Sequence, residues 1–188
     1  MAVLSNIAVV QALESGRLTI DPRPSPPPGG KNTPFNTSSV DLRLAPEIFV
    51  PKQNLSLTFD LRSGAISKTL ASVCDQERIP ESGWLLRPNR LILGRTIERV
   101  ALPIEGGLAA RIEGRSSYAR TGLVVHFTAP TIHAGFAGTI TLEMINLGPI
   151  SLTLTPGMRL CQLIVETVDG PIEDGESQFR GQGTAIGS

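Results

Sequence analysis

The sequence predicts a mainly β domain, a sandwich or barrel of jelly-roll type with one short helix near its N-terminus. Three observations predict it. Short strand-like runs recur from Ser39 onward, separated by turn signals such as Arg87-Pro88-Asn89, Pro103 to Gly107, Gly148-Pro149 and Pro156-Gly157. Apolar and polar residues alternate in Thr139-Ile140-Thr141-Leu142 and in Ser151-Leu152-Thr153-Leu154, the period of a half-buried strand. The composition, with 19 Gly and 15 Pro and only 4% aromatic residues, suits many turns between short strands.

Taken in order, Ser5 to Gly16 reads as the helix, because Ile7, Val10 and Leu13 fall at helical spacing and Gly16 suits a C-terminal cap. Leu18-Thr19-Ile20 reads as a short strand. Pro22 to Pro34 is a loop, since Pro-Arg-Pro-Ser-Pro-Pro-Pro-Gly-Gly can hold neither a ladder nor a helix. Strands are expected at Val40 to Leu44, Leu55 to Leu61, Trp84 to Arg87, Leu91 to Thr96, Val100 to Leu102 and Leu108 to Glu113. Further ones are expected at Leu123 to Phe127, Thr139 to Asn146, Ile150 to Leu154 and Arg159 to Val165. Lys68 to Glu77 suits a second short helix. A chain of 188 residues holds one buried core, so residues 1–168 are expected to form a single domain. The polar tail, 169–188, reads as a mobile arm.

Several function classes fall away on composition. The formal net charge is zero, so bulk charge points neither to nucleic acid nor to an anionic membrane. Cys74 and Cys161 are the two cysteines, too few and too far apart for a disulfide framework. Zinc is not expected: no Cys-x-x-Cys pair occurs, and the histidines are His126 and His133. No signal peptide or bilayer-length apolar run is visible, which makes the cytoplasm the expected compartment.

The chemistry concentrates in two runs. Gly114-Arg115-Ser116-Ser117-Tyr118-Ala119-Arg120 sets two arginines and two serines beside a glycine. Hydroxyls, backbone N–H groups and guanidinium forks in one turn can wrap an oxyanion such as phosphate. Gly138-Thr139-Ile140-Thr141-Leu142-Glu143 places one acid, Glu143, inside an apolar strand, where it needs a partner or a task. Together they read as an enzyme acting on a nucleotide. By sequence position alone, a purely structural Arg120–Glu143 ion pair fits equally well. The serines would by themselves serve to stabilise a turn. His126, Tyr118, Phe136 and Trp84 read as packing residues.

These runs, in this order, resemble the deoxycytidine triphosphate deaminases, a family sharing its fold with trimeric dUTPases. The most specific stretch is Gly114-Arg115-Ser116-Ser117 with Ala119-Arg120 and Gly122-Leu123. It is followed by Gly135-Phe136-Ala137-Gly138-Thr139-Ile140-Thr141-Leu142-Glu143 with Asn146, then Pro156-Gly157-Met158 and Gln162-Leu163. Ser39-Val40-Asp41-Leu42-Arg43-Leu44 and Thr96-Ile97-Glu98 are similar to further family signatures. The resemblance implies a distorted jelly roll or dUTPase-like β-barrel that forms a homotrimer with active sites between subunits. It implies zinc-independent deamination of dCTP to dUTP and ammonia. Glu143 would be the general base, Ser116 and the carbonyl of Ala129 would hold the attacking water, and Arg120 would orient Glu143. Arg115, Ser116, Ser117 and Gln162 would contact phosphates, and Mg²⁺ would ride on the triphosphate. His133, Thr141 and Leu142 would line the nucleoside, with Gln178 and Gln182 closing the C-terminal arm over it. The resemblance also admits dTTP or dUTP as ligands.

The chain departs from the family pattern in three places. Ile132-His133-Ala134-Gly135 stands where the family has Ile-Asp-Pro-Gly, and that Asp is expected to contact the sugar 3′-hydroxyl. Pro130 and Thr131 follow Ala129 where many deaminases have His and Arg. Gln178-Phe179-Arg180-Gly181-Gln182 stands where a Lys-Tyr-x-x-Gln closing motif is expected. His133 can still hydrogen-bond a hydroxyl but is a poorer anionic base. This argues against further cleavage to dUMP. The other readings left open are a binding homologue without turnover and a modified nucleotide as substrate.

Overall fold

The computed structural model describes residues 2–64, 66–173 and 185–186. The first helix, α1 (Asn6–Glu14), is capped by Ser5, whose hydroxyl accepts from the Ala8 N–H. Gly16 follows with φ +74°, a left-handed conformation that glycine adopts without steric cost. Val9 and Ala12 bury one face of the helix against the core.

Twelve strands follow in chain order: β1 (Thr19–Asp21), β2 (Val40–Arg43), β3 (Glu47–Pro51), β4 (Cys74–Arg78), β5 (Trp84–Leu86), β6 (Leu91–Ala101), β7 (Leu108–Gly114), β8 (Leu123–Val124), β9 (Thr131–Ile132), β10 (Ala137–Asn146), β11 (Leu152–Leu154) and β12 (Arg159–Thr167). Two more helices interrupt them, α2 (Ile66–Val73) before β4 and the single turn α3 (Ser116–Ala119) between β7 and β8. One sheet runs β4-β3-β6-β10-β8, with β1 also on β6. The second runs β2-β12-β7-β9, and β11 and β5 make a separate ribbon. Every pairing is antiparallel, and among the described residues no ladder closes the sheets into a barrel. The architecture is the expected β-rich jelly roll.

The core between the sheets is built from alternate residues of each strand. Val40 and Leu42 of β2, Leu108, Ala110 and Ile112 of β7, Leu142 and Met144 of β10, and Leu163 and Val165 of β12 are all nearly inaccessible. That alternation is the signal legible in the sequence.

Other expectations are corrected. Leu55 to Leu61 forms no strand; Asp60 instead caps a single 3₁₀ turn over Leu61–Ser63, and Leu55, Leu57 and Leu61 stay exposed. The runs around Leu91 and Val100 merge into the one long β6. The second helix begins and ends earlier than expected, because Cys74 to Arg78 is taken up as β4 against β3. The strands β3, β4 and β9 are additional. The Pro-rich segment 22–34 holds neither helix nor strand, as expected, and Arg159 Nη1 ties it down through the Thr33 carbonyl at 3.0 Å. Among the described residues, no helix is long and apolar enough to cross a membrane.

Both cysteines are buried and free. Burial pushes the Cys161 thiol far up, and the nearby carboxylates of Glu98 and Asp41 push it the same way. Burial also raises Cys74, assisted by Asp75 and opposed by Lys52. Native protein exposed to a thiol-specific reagent near neutral pH is therefore expected to leave Cys161 unlabelled, with both thiols reacting after denaturation. Rapid stoichiometric labelling of Cys161 in the folded state would contradict its packing.

Candidate active site

The two motif runs sit where the sheets meet. β7 of the second sheet ends at Gly114, the chain makes the α3 turn, and β8 joins the first sheet. Tyr118 anchors the turn by packing on the core. Its close is fixed by Gly122 at φ +93°: a Cβ there would lie 2.2 Å from the Gly148 backbone nitrogen, so only glycine fits. Asn146, fully buried, clamps the facing loop. Its Nδ2 donates to the carbonyls of Leu86 (3.0 Å) and Ile150 (2.7 Å), and its Oδ1 accepts from the Gly148 N–H (2.9 Å). Asn146 is thus a structural clamp for the turn that carries Ser116, Ser117 and Arg120.

Glu143 lies on the opposite face of β10 from the core. Its neighbours Leu142 and Met144 point inward and are inaccessible. Register places Glu143 across from Leu93 of β6, and Leu93 across from Phe49 of β3. Phe49, Leu93 and Glu143 therefore form one row across the outer face of the first sheet. The next row holds an ion-paired ladder: Glu47 bridges Arg78 (2.6 Å) and Arg95 (3.1 Å), and Arg95 stands opposite Thr141. Phe49 and Leu93 are covered by a second apolar cluster with Cys74 and Ala185, against which Leu70, Val73 and Ile186 pack. So α2 and the described C-terminal pair, Ala185-Ile186, sit on the sheet face that carries Glu143. Glu143 itself is half-buried and makes no hydrogen bond or ion pair with any described residue of the chain.

A second polar cluster gathers around Asp41 of β2. Its side chain is only 4% exposed. Oδ1 accepts from Asn36 Nδ2 (2.9 Å) and Gln162 Nε2 (3.2 Å), and Oδ2 lies 3.5 Å from Arg115 Nη1. Gln162 Nε2 also donates to Ser39 Oγ at 3.2 Å. Arg115 Nη1 further donates to the Arg159 carbonyl at 3.2 Å, and the guanidinium lies over the Tyr118 ring, 5.4 Å from its centre. β12 lies between β2 and β7, which sets Gln162 directly opposite both Asp41 and Glu113. Arg115 and Gln162, expected to act together, are brought together. Asp41, Ser39 and Asn36 were not singled out as site residues from the sequence; the Ser39–Leu44 signature was the available signal.

The remaining expected residues divide. Ser116, Ser117, Arg120, Ala129 and His133 are all exposed on the single chain. Arg120 forms no ion pair with Glu143 among the described residues, so the pairing expected from sequence is not made within one chain. Leu142 turns its side chain into the core, leaving only its main chain toward the outer strand surroundings. Thr141 is half-buried beside Glu143. Gln178 and Gln182 lie outside the described residues. His126, read as a packing residue, is mostly buried, 3.8 Å from Glu113. Trp84 packs on the core and donates from Nε1 to Glu77 at 2.8 Å.

Comparison with known proteins gives the family. The family model described as dCTP deaminase-like matches residues 3–168. The chain belongs to the dCTP deaminase-like family. A dUMP-forming dCTP deaminase of Methanobrevibacter smithii is 36% identical over 174 residues, covering 92% of this chain and 84% of that protein. A dCTP deaminase of Marinomonas is 34% identical over 189 residues, covering 96% and 93%. Among solved structures, the 2′-deoxycytidine 5′-triphosphate deaminase of Agrobacterium tumefaciens superposes with a TM-score of 0.64 at 17% identity, a likeness of fold. The match covers 88% of this chain and spans about half, 47%, of that longer one.

Proposed function

We propose that this family member deaminates dCTP, with Glu143 as the general base. The observation that carries the proposal is the setting of Glu143: a half-buried carboxylate, without a partner among the described residues, on a strand face lined by Leu93 and Thr141. A carboxylate so placed can take the proton of a water attacking C4 of the cytosine. As the C4–oxygen bond forms, Glu143 passes that first proton to N3; it then takes the remaining proton of the C4 hydroxyl and delivers it to the amino group, so that the C4 carbonyl forms as the C4–N bond breaks and ammonia leaves. Arg115, Ser116, Ser117 and Gln162 bind phosphates in this reading. Ser116 and the Ala129 carbonyl hold the water.

We further infer a homotrimer with sites between subunits. The exposed placement of Ser116, Ser117, Arg120, Ala129 and His133 on one chain supports it, because a neighbouring copy would close the site around Glu143. Mg²⁺ enters on the triphosphate oxygens: among the described residues no three His, Cys, Asp or Glu side chains converge as metal ligands, and Asp41 is already engaged.

The product divides two readings. His133, in place of an acid, favours release of dUTP; the dUMP-forming name of the Methanobrevibacter relative favours continued cleavage. Product analysis after incubation with dCTP and Mg²⁺, beside CTP, dCMP and dUTP, settles both points. Ammonia and dUTP from dCTP alone are expected. Pyrophosphate with dUMP would establish the second reading, and no ammonia from any substrate would overturn the deaminase. Sedimentation of the same sample is expected to give three times the chain mass.

A further inference from the structure

We propose that Asp41 is a positioning residue for nucleotide binding: its buried carboxylate tethers Arg115 and Gln162 so that the free edge of Arg115 is presented to a phosphate. The inference rests on the reading of Arg115 and Gln162 as phosphate-binding groups and adds the residue that aims them.

The geometry divides the labour of both the carboxylate and the guanidinium. Oδ1 of Asp41 serves the neutral donors Asn36 and Gln162, while Oδ2 faces Arg115 at 3.5 Å. On Arg115, Nη1 is shared between Asp41 and the Arg159 carbonyl. Nε and Nη2 have no partner among the described residues. Those two N–H groups form the side-on fork of a guanidinium, which matches two oxygens of one phosphate. The Tyr118 ring supports the guanidinium plane from one face. A long arginine side chain loses much rotamer entropy when it is ordered. An anion that orders it beforehand removes that cost from the binding step. Asp41 is well suited to this task because it is held from both sides of the fold. β2 carries it, the Asn36 turn braces it, and β12 brings Gln162 to it.

Asp41→Asn is the informative change. It preserves volume and an oxygen able to accept from Asn36 and Gln162. At the Oδ2 position it places an N–H₂ group, a donor facing a donor, which releases Arg115. Wild type and variant are to be compared by steady-state deamination of dCTP and by calorimetric binding of dCTP and of deoxycytidine, which lacks phosphates. The expected result is a KM and dCTP Kd raised ~10-fold or more, with kcat within ~3-fold and deoxycytidine affinity unchanged. Asn36→Ala, which removes a donor on the other oxygen, is expected to move KM less than ~2-fold.

Should Asp41→Asn fail to fold, the double variant Asp41→Asn/Arg115→Gln carries the test, because two neutral amides can hydrogen-bond there. It is expected to bind dCTP as weakly as Arg115→Gln alone, since the effect of Asp41 runs through Arg115. A dCTP Kd unchanged in Asp41→Asn, an equal loss for deoxycytidine, or a double variant clearly weaker than Arg115→Gln would overturn the proposal. Wild-type protein that neither binds nor deaminates dCTP would overturn the underlying reading of the site instead.

Discussion

Replacing Glu143 by Gln is expected to remove deamination while leaving the fold intact. The change deletes a charge and the capacity to take a proton but keeps the side-chain volume. Among the described residues Glu143 makes no hydrogen bond or ion pair whose loss would destabilise the strand, and its neighbours Leu142 and Met144 carry the packing on the other face. General base catalysis by a positioned side chain contributes about 10²–10⁴-fold. Ammonia release from dCTP should fall by that factor, with an unchanged thermal melt and with dCTP binding retained. A variant at full rate would remove Glu143 from the mechanism. A variant that unfolds would instead mean that the carboxylate has a structural partner.

The largest effect on stability is expected at Glu98, which takes no part in the proposed chemistry. Its side chain is 4% exposed on β6. Oε1 accepts from Arg43 Nε at 2.6 Å and Oε2 from the Arg43 backbone N–H at 2.9 Å. The backbone carbonyl of Glu98 accepts from Thr96 Oγ1 at 2.7 Å, and that hydroxyl accepts from the Ile140 N–H at 3.0 Å, at the irregularity between Thr139 and Thr141 in β10. One side chain thus joins β2 of the second sheet to β6 of the first, and the residue's main chain continues the link toward β10. Glu98→Ala leaves a buried N–H without an acceptor and Arg43 without its counter-charge. Breaking a buried pair at one end costs about 3–5 kcal/mol; the partial exposure of Arg43 places the expectation near the lower figure. For a chain of this size that is a fall in melting temperature of roughly 6–12 °C. Glu98→Gln, which keeps an acceptor, should lose clearly less. Equal melts for wild type and Glu98→Ala would show that the two sheets do not depend on this bond.

What the sequence made legible follows from the range of each interaction. The helix over Ser5 to Gly16 was readable because cap, spacing and terminal glycine are local. The long β10 was readable because its period-two pattern is carried by its own residues. Leu55 to Leu61 shows the limit of that signal: Leu55, Leu57, Phe59 and Leu61 alternate as a strand would, yet no neighbouring strand offers a ladder, and the Asp60 cap on Arg62 N–H takes over locally. Glu47 to Pro51 forms a strand with little pattern of its own because β4 and β6 flank it. The same reasoning explains the site. Arg115 and Glu143 stand out by residue type within their runs. Asp41 does not, because its partners at positions 36, 115 and 162 meet only once β12 is laid between β2 and β7.

The apolar cluster of Phe49, Cys74, Leu93 and Ala185 has a practical meaning for anyone handling the protein. Leu93 touches the C-terminal pair through that cluster and stands opposite Glu143 across the ladder. A tag joined close after Ile186, or a protease cut between Thr167 and Ala185, is expected to disturb that contact. Either alteration reaches the sheet face that carries Glu143. Preparations with different C-termini are therefore expected to differ at the sheet face that carries Glu143.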